Sequence, residues 1–152
     1  MIGKILCAIG KALGGCVEAS PPPTLETSGG ISIDELSSIL IDKFPDAPLY
    51  LPDSYYYTCT VDDIKRFLGW DIGRESYRAE VFDCDDYSWR LKGNITIYPW
   101  STIPFFVVWT DKHAMNGFID NKGDFYFIEP QTDEIQTELE DWQGSAIRFM
   151  GG

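Results

Sequence analysis

Ile103-Pro-Phe-Phe-Val-Val-Trp109 is the stretch on which the reading of this chain turns. It is apolar throughout, dense in aromatic and β-branched side chains, and too short for a core helix. It therefore reads as a buried strand. Downstream the strand character continues. His113 to Ile119 and Phe125 to Ile128 form a pair joined by Asp120-Asn-Lys-Gly-Asp124, a hairpin-turn sequence, and Ala146 to Met150 supplies a last strand. Upstream the pattern turns helical. Ser32-Ile-Asp-Glu35 is a capping box, after which Ile33, Leu36, Ile39, Leu40 and Phe44 share one helical face until Pro45. Thr60 opens a second helix with Val61, Ile64, Phe67 and Leu68 inward, and Gly69 is the expected stop. Asp83 caps a third, with Asp86 three residues on and Gly93 as its expected end. Helices first and an antiparallel sheet afterwards make an α+β plan.

At 152 residues, 44% hydrophobic and 14% aromatic, the chain suits one globular domain. Its net charge of -12 repels phosphate backbones, which argues against nucleic acid, and would attract cations or basic peptides. No apolar run approaches the roughly 18 residues that a membrane span requires. The four cysteines (Cys7, Cys16, Cys59 and Cys84) include no CxxC pair, so neither a thiolate zinc site nor an oxidising compartment is indicated. A cytoplasmic location is expected. A weaker alternative is a lipid anchor on Cys16, which ends the short apolar stretch of residues 1–16. Residues 19–30 (ASPPPTLETSGG) read as a Pro/Gly-rich linker. The division expected is a leader and linker over 1–30 and a catalytic domain over 31–152.

The chemistry gathers around three residues. With Asp83 as cap, Cys84 takes the first helical position, where free amides and the helix dipole stabilise a thiolate. Asp83, Asp85 and Asp86 oppose that effect unless a cation neutralises them. His113 is the sole histidine of the chain, so any imidazole chemistry must use it. Glu129 closes the following strand before Pro130, within reach of a histidine on the neighbouring strand. Each residue also has a plainer reading: a structural cysteine, a surface histidine, a solvated glutamate. Together they make a nucleophile, a base and an orienting carboxylate.

Read together, "FDCDDYS" (82–88), "HAMNGFID" (113–120) and "FYFIEPQT" (125–132) resemble the papain-like protease domain family typified by the Marasmius oreades agglutinin, over roughly residues 50–150. The resemblance implies a papain-like fold in which N-terminal helices, one carrying the cysteine at its start, pack on an antiparallel sheet. It also implies a calcium-activated cysteine protease with Cys84 as nucleophile, His113 as general base and Glu129 orienting the histidine. Two features depart from the family. The agglutinin's β-trefoil lectin domain has no counterpart here, and the 29-residue interval from Cys84 to His113 is short.

The cation candidates are Asp83, Asp85 and Asp86 beside the nucleophile, with Asp133 and Glu134 past the Glu-Pro turn. Their hard oxygens suit Ca2+ or Mn2+. The expected function is thus a calcium- or manganese-dependent cysteine peptidase, a hydrolase acting on a protein or peptide through a thioester. The alternatives are a thiol amidase or transglutaminase-like acyl transferase, and a catalytically inactive papain-like binding protein. No glutamine precedes Cys84 to complete an oxyanion hole, so Tyr55, Tyr56, Tyr57 and Trp70 are the candidates for that donor.

Overall fold

A computed structural model of the chain describes residues 20–72 and 76–152. The leader, with Cys7 and Cys16, lies outside the described residues. Among those described, eight strands and three α-helices follow one another along the chain: β1 (Gly30–Ser32), α1 (Ile33–Lys43), β2 (Leu49–Tyr50), β3 (Tyr55–Tyr57), α2 (Val61–Trp70), α3 (Cys84–Ile95), β4 (Phe105–Thr110), β5 (Ala114–Ile119), β6 (Phe125–Glu129), β7 (Glu134–Gln136) and β8 (Ile147–Gly151). β1 and β3 pair in a small sheet of their own. The other six strands form a larger sheet in the order β2-β8-β4-β5-β6-β7.

The α+β, papain-like plan of N-terminal helices on one antiparallel sheet is corrected by this arrangement. Strands are divided between two sheets, and they begin before the first helix. β2 runs parallel to β8. The helices also do not share a face. In β4, Phe106 and Val108 point to one side and pack with Leu36 and Leu40 of α1, while Phe105 points to the other, towards Ile64 and Phe67 of α2 and Leu91 and Ile95 of α3. Alternation along β4 thus builds two cores, with each fully buried large side chain contributing about 1.5–3 kcal/mol. β1, β2, β3 and β7 are two or three residues long, too short to show a periodicity in sequence.

Local signals set the helix starts. Ser32 and Glu35 close a reciprocal box, with the Ser32 amide donating to Glu35 Oε2 at 3.0 Å and the Glu35 amide to Ser32 Oγ at 3.3 Å. Thr60 and Asp63 repeat it at 2.8 and 3.1 Å. The expected stops at Gly69 and Gly93 are passed, however. α2 runs on to Trp70 and α3 to Ile95. The space beside each of these glycines is open, and Asp71 and Thr96 serve as the C-caps. The hairpin turn is closed by Asp120, whose Oδ1 accepts from the Lys122 and Asp124 amides at 2.9 and 3.0 Å. Gly123 supplies the positive φ of 85° that this turn needs.

Residues 20–30 lie against the domain. Leu25 is buried in the α2/α3 core, the Trp100 indole donates to the Pro23 carbonyl at 2.8 Å, and the Trp70 indole donates to the Ser20 carbonyl at 3.0 Å.

Candidate functional site

The site is assembled where α3 begins and where β5 and β6 run side by side. His113 sits just before β5, at the end of a tight Thr110–His113 turn. The Thr110 amide donates to the His113 carbonyl at 2.8 Å, and the His113 amide donates to Thr110 Oγ1 at 2.9 Å. Register then sets the partner. Asn116 pairs with Ile128, so Met115 stands opposite Glu129 and His113 is its diagonal neighbour on the same face. His113 Nε2 meets Glu129 Oε2 at 2.7 Å, and each side chain is 7% exposed.

Glu129 is itself held. Its Oε1 accepts from the Gln131 amide at 3.3 Å. The chain folds back behind it, with the Asp133 amide donating to the Glu129 carbonyl at 2.9 Å. Asp133 adopts a φ of 65° there, a left-handed conformation that aspartate tolerates better than most residues. Since Nε2 is taken by Glu129, Nδ1 is the ring nitrogen left to face a second group. Across the imidazole lies Trp142, its ring centroid 4.9 Å away and more than half exposed. Sequence reasoning missed Trp142, because a single tryptophan in the irregular Glu138–Gly144 stretch carries no pattern.

Cys84 opens α3 and is half-buried. Burial pushes its thiol above the ordinary range, and the Asp83 and Asp85 carboxylates push the same way. Against them, the amide of Ala114, the residue after His113, hydrogen-bonds the sulfur and favours the thiolate. The resting group is therefore a thiol next to the imidazole's own strand, and forming a thiolate requires a base.

The five acids proposed as metal ligands are not brought together. Ligand atoms of Asp83, Cys84 and Asp85 lie within 4.8 Å of one another. Asp83 and Asp85 share a hydrogen bond between their carboxyl groups, which raises Asp85 and lowers Asp83. Asp86 instead turns back to accept the Asp83 amide at 3.2 Å. Asp133 and Glu134 stand at the β6–β7 turn and do not join this cluster. Of the oxyanion candidates, the Trp70 N–H is spent on Ser20 and the Tyr56 hydroxyl accepts the Asp53 amide at 3.2 Å. Tyr55 and Tyr57 stand exposed on β3.

The fold is one seen in a solved chain described as a lectin. One solved structure, titled "PSL1a-E64 complex", matches with a TM-score of 0.68 and 21% identity, covering 81% of this chain and 50% of that one. A second is the Polyporus squamosus lectin bound to the human-type influenza-binding epitope Neu5Aca2-6Galb1-4GlcNAc. It matches with a TM-score of 0.67 and 22% identity, covering 81% and 49%. The chain thus spans about half the length of each. No protein-family model matches the chain, and no curated protein matches it.

These matches correct the family named from sequence. One solved structure that shares the fold is described as a lectin and neither is described as a papain-like protease, and likeness at this identity establishes the fold alone. The papain-like family and the calcium- or manganese-dependent peptidase, a hydrolase, are overturned by this likeness together with the amidase, transglutaminase and inactive papain-like alternatives. Three short motifs suggested that family, and motifs of this length recur on unrelated chains. No helix among the described residues is long and apolar enough to cross a membrane.

Proposed function

We propose that Cys84, His113 and Glu129 form a reactive-thiol site that captures a ligand through an electrophilic carbon. The observation that carries this is the buried His113–Glu129 pair at 2.7 Å, placed one residue from the amide that bonds the Cys84 sulfur. In the capture step His113 Nδ1 takes the thiol proton and a sulfur–carbon bond forms. The electron pair of the broken bond leaves with the displaced group. Glu129 holds the ring and supports the imidazolium produced. One neighbour was solved with E64, and that compound is proposed as a ligand of this site. Mass-spectrometric labelling with iodoacetamide tests the reading. Cys84 should react much faster than buried Cys59, and its rate should fall by about a hundredfold in His113→Ala. Equal rates at the two cysteines would mean that Cys84 is structural.

A second reading is glycan binding, favoured by the lectin description of one neighbour. The net charge of -12 directs this reading to neutral or basic sugars, since an acidic glycan would be repelled. A glycan array with neutral and acidic members tests it, and no bound sugar at all would remove it.

Asp83 and Asp85 are proposed to take Ca2+ or Mn2+ between their neighbouring carboxyl groups. The pair fits in donor chemistry, two hard oxygens, but leaves most of a calcium shell to water and backbone. A bound cation would offset the negative charge that opposes the Cys84 thiolate. Calorimetry with either metal should show binding that Asp85→Asn abolishes, whereas no heat and an unchanged melting temperature would exclude it. A reducing, cytoplasmic setting is proposed on the free thiols of Cys59 and Cys84.

A further inference from the structure

At the end of β5 away from His113, three segments converge on one cleft. The first is the end of the Pro/Gly-rich stretch before β1. There the Ser28 amide donates to the Thr58 carbonyl at 3.1 Å, and the Thr58 amide donates to the Gly29 carbonyl at 3.2 Å. Gly29 holds a φ of 148°, a conformation that other residues rarely adopt. The second is the Asp120–Asp124 turn, fastened to the same place because the Asn121 amide donates to the Cys59 carbonyl at 2.9 Å. The third is the first turn of α1. Together they enclose about 760 Å³, the size of a ligand pocket.

Two side chains that border this cleft are buried with hydrogen-bonding capacity unused. Thr58 is 7% exposed, and its hydroxyl has no hydrogen-bond partner among the described residues. Asp120 is 2% exposed. Its Oδ1 is taken by the Lys122 and Asp124 amides, and no described residue donates to its Oδ2. Buried polar atoms left without partners are costly, and a ligand that bonds both would remove that cost.

The surrounding groups define what such a ligand carries. Asp34, Glu35 and Asp120 supply carboxylates, Ser38 and Thr58 supply hydroxyls, and no lysine or arginine lines the cleft. The Ser32 amide and hydroxyl hold the Glu35 carboxyl below its ordinary range, so this group stays an anion. Glu35 thereby places a negative charge at the start of α1, and that helix end does not call for an anionic ligand. Acceptors and negative charge prevail, while Ile31 and Ile39 offer apolar contact to the C–H face of a ring.

We infer that this cleft binds an amino sugar, with the protonated amine facing Asp120 and ring hydroxyls bonding Thr58 and Ser38. The inference rests on the glycan-binding reading and narrows it from neutral or basic sugars to basic ones. It places the sugar about 20 Å from the thiol site, the length of the six-residue β5.

The test is calorimetry on the full chain with the β1→4 disaccharide of glucosamine, its di-N-acetyl form, cellobiose and lysine amide. The variants are Thr58→Val and Asp34→Asn, each checked for folding by thermal melting. Asp34 is exposed, so its replacement probes the cleft even where Thr58→Val loosens the fold. The glucosamine disaccharide should bind once per chain and about tenfold or more tighter than the other three compounds. Each variant should weaken it by roughly five- to tenfold, the scale of one hydrogen bond. Equal affinity in all three proteins would overturn the cleft and leave the glycan reading standing. A di-N-acetyl or neutral sugar bound as tightly as the amine would overturn the choice of a basic sugar. Lysine amide bound as tightly as the disaccharide would overturn the sugar itself, since an ammonium group alone would then suffice. No heat with any of the four would overturn the inference, and an empty glycan array beside it would remove the glycan reading as well.

Discussion

His113 Nε2 and Glu129 Oε2 meet at 2.7 Å although 16 residues separate them in the chain. Both side chains are nearly buried, so water competes weakly for either partner. The contact is a consequence of strand register. A slip of one residue between β5 and β6 would send the two side chains to opposite faces.

That pairing can be tested through the thiol. His113→Ala should slow alkylation of Cys84 near neutral pH by about a hundredfold, the ordinary scale of a positioned base. Glu129→Gln keeps the volume and removes the charge. It should slow alkylation by roughly tenfold, the worth of one charged hydrogen bond. Alkylation at the original rate in both variants would leave the pair without a role at Cys84.

Trp142 covers one side of the imidazole and is tied back by its indole N–H, which donates to Glu140 Oε2 at 2.6 Å. Because the chain has a single histidine, its ring signals in an NMR spectrum are unambiguous. In Trp142→Ala those signals should shift, while stability falls by no more than about 1 kcal/mol because the indole is exposed. Unmoved ring signals would show that the contact is incidental.

Alkaline stability should report on Cys59. Burial, with the Asp63 and Asp120 carboxylates adding to it, pushes this thiol from 9.0 up to about 12. A raised acid holds its proton longer in the folded chain than in the unfolded one. Stability from this group is therefore complete below pH 9 and declines as pH climbs towards 12. Lys92 and tyrosines titrate nearby, so the measurable quantity is the difference in slope between the unaltered chain and Cys59→Ala in urea titrations. Parallel slopes between pH 9 and 11 would contradict it.

Asp63 should govern the acid limb. Burial alone would raise its carboxyl, but the Thr60 hydroxyl and amide, the Glu26 amide and the Arg66 guanidinium together hold it below 3.8. Stability from Asp63 is thus present above its unfolded value near 3.8 and lost as pH falls through the lower folded one. Asp63→Asn should cost about 1–3 kcal/mol at pH 7, and much of that difference should disappear at pH 2. Chemical denaturation at the two pH values checks this, and a cost independent of pH would assign the effect to packing instead.

The elements with a local cause were legible in the sequence. Ser32 with Glu35 acts within one turn of chain and the structure forms that box at the expected position, while Thr60 opens its helix as expected with Asp63 completing a second box. Asp120 to Asp124 turns the hairpin by bonds inside five residues. Helix ends were less legible. Gly69 and Gly93 can end a helix or lie in its last turn, and packing of Phe67, Leu68 and Ile95 carried both helices onward.

What depends on distant partners was settled only by the tertiary structure. Leu49 and Tyr50 become a strand because Met150 and Gly151 offer an edge, and Tyr55 to Tyr57 because Gly30 to Ser32 does. Nothing in the periodicity of α1, α2 or α3 says which face of the sheet each will cover, since an amphipathic stripe fits either side. The sequence by itself determined where helices start, which stretch is a buried strand, and which single imidazole is available. Tertiary structure decided that Glu129 holds that imidazole, that Asp133 and Glu134 stay apart from Asp83 and Asp85, and that Thr58 and Asp120 border one cleft. The physical reason is one of range. Caps and turns are stabilised within a few residues, whereas register and face depend on burial shared across the whole sheet.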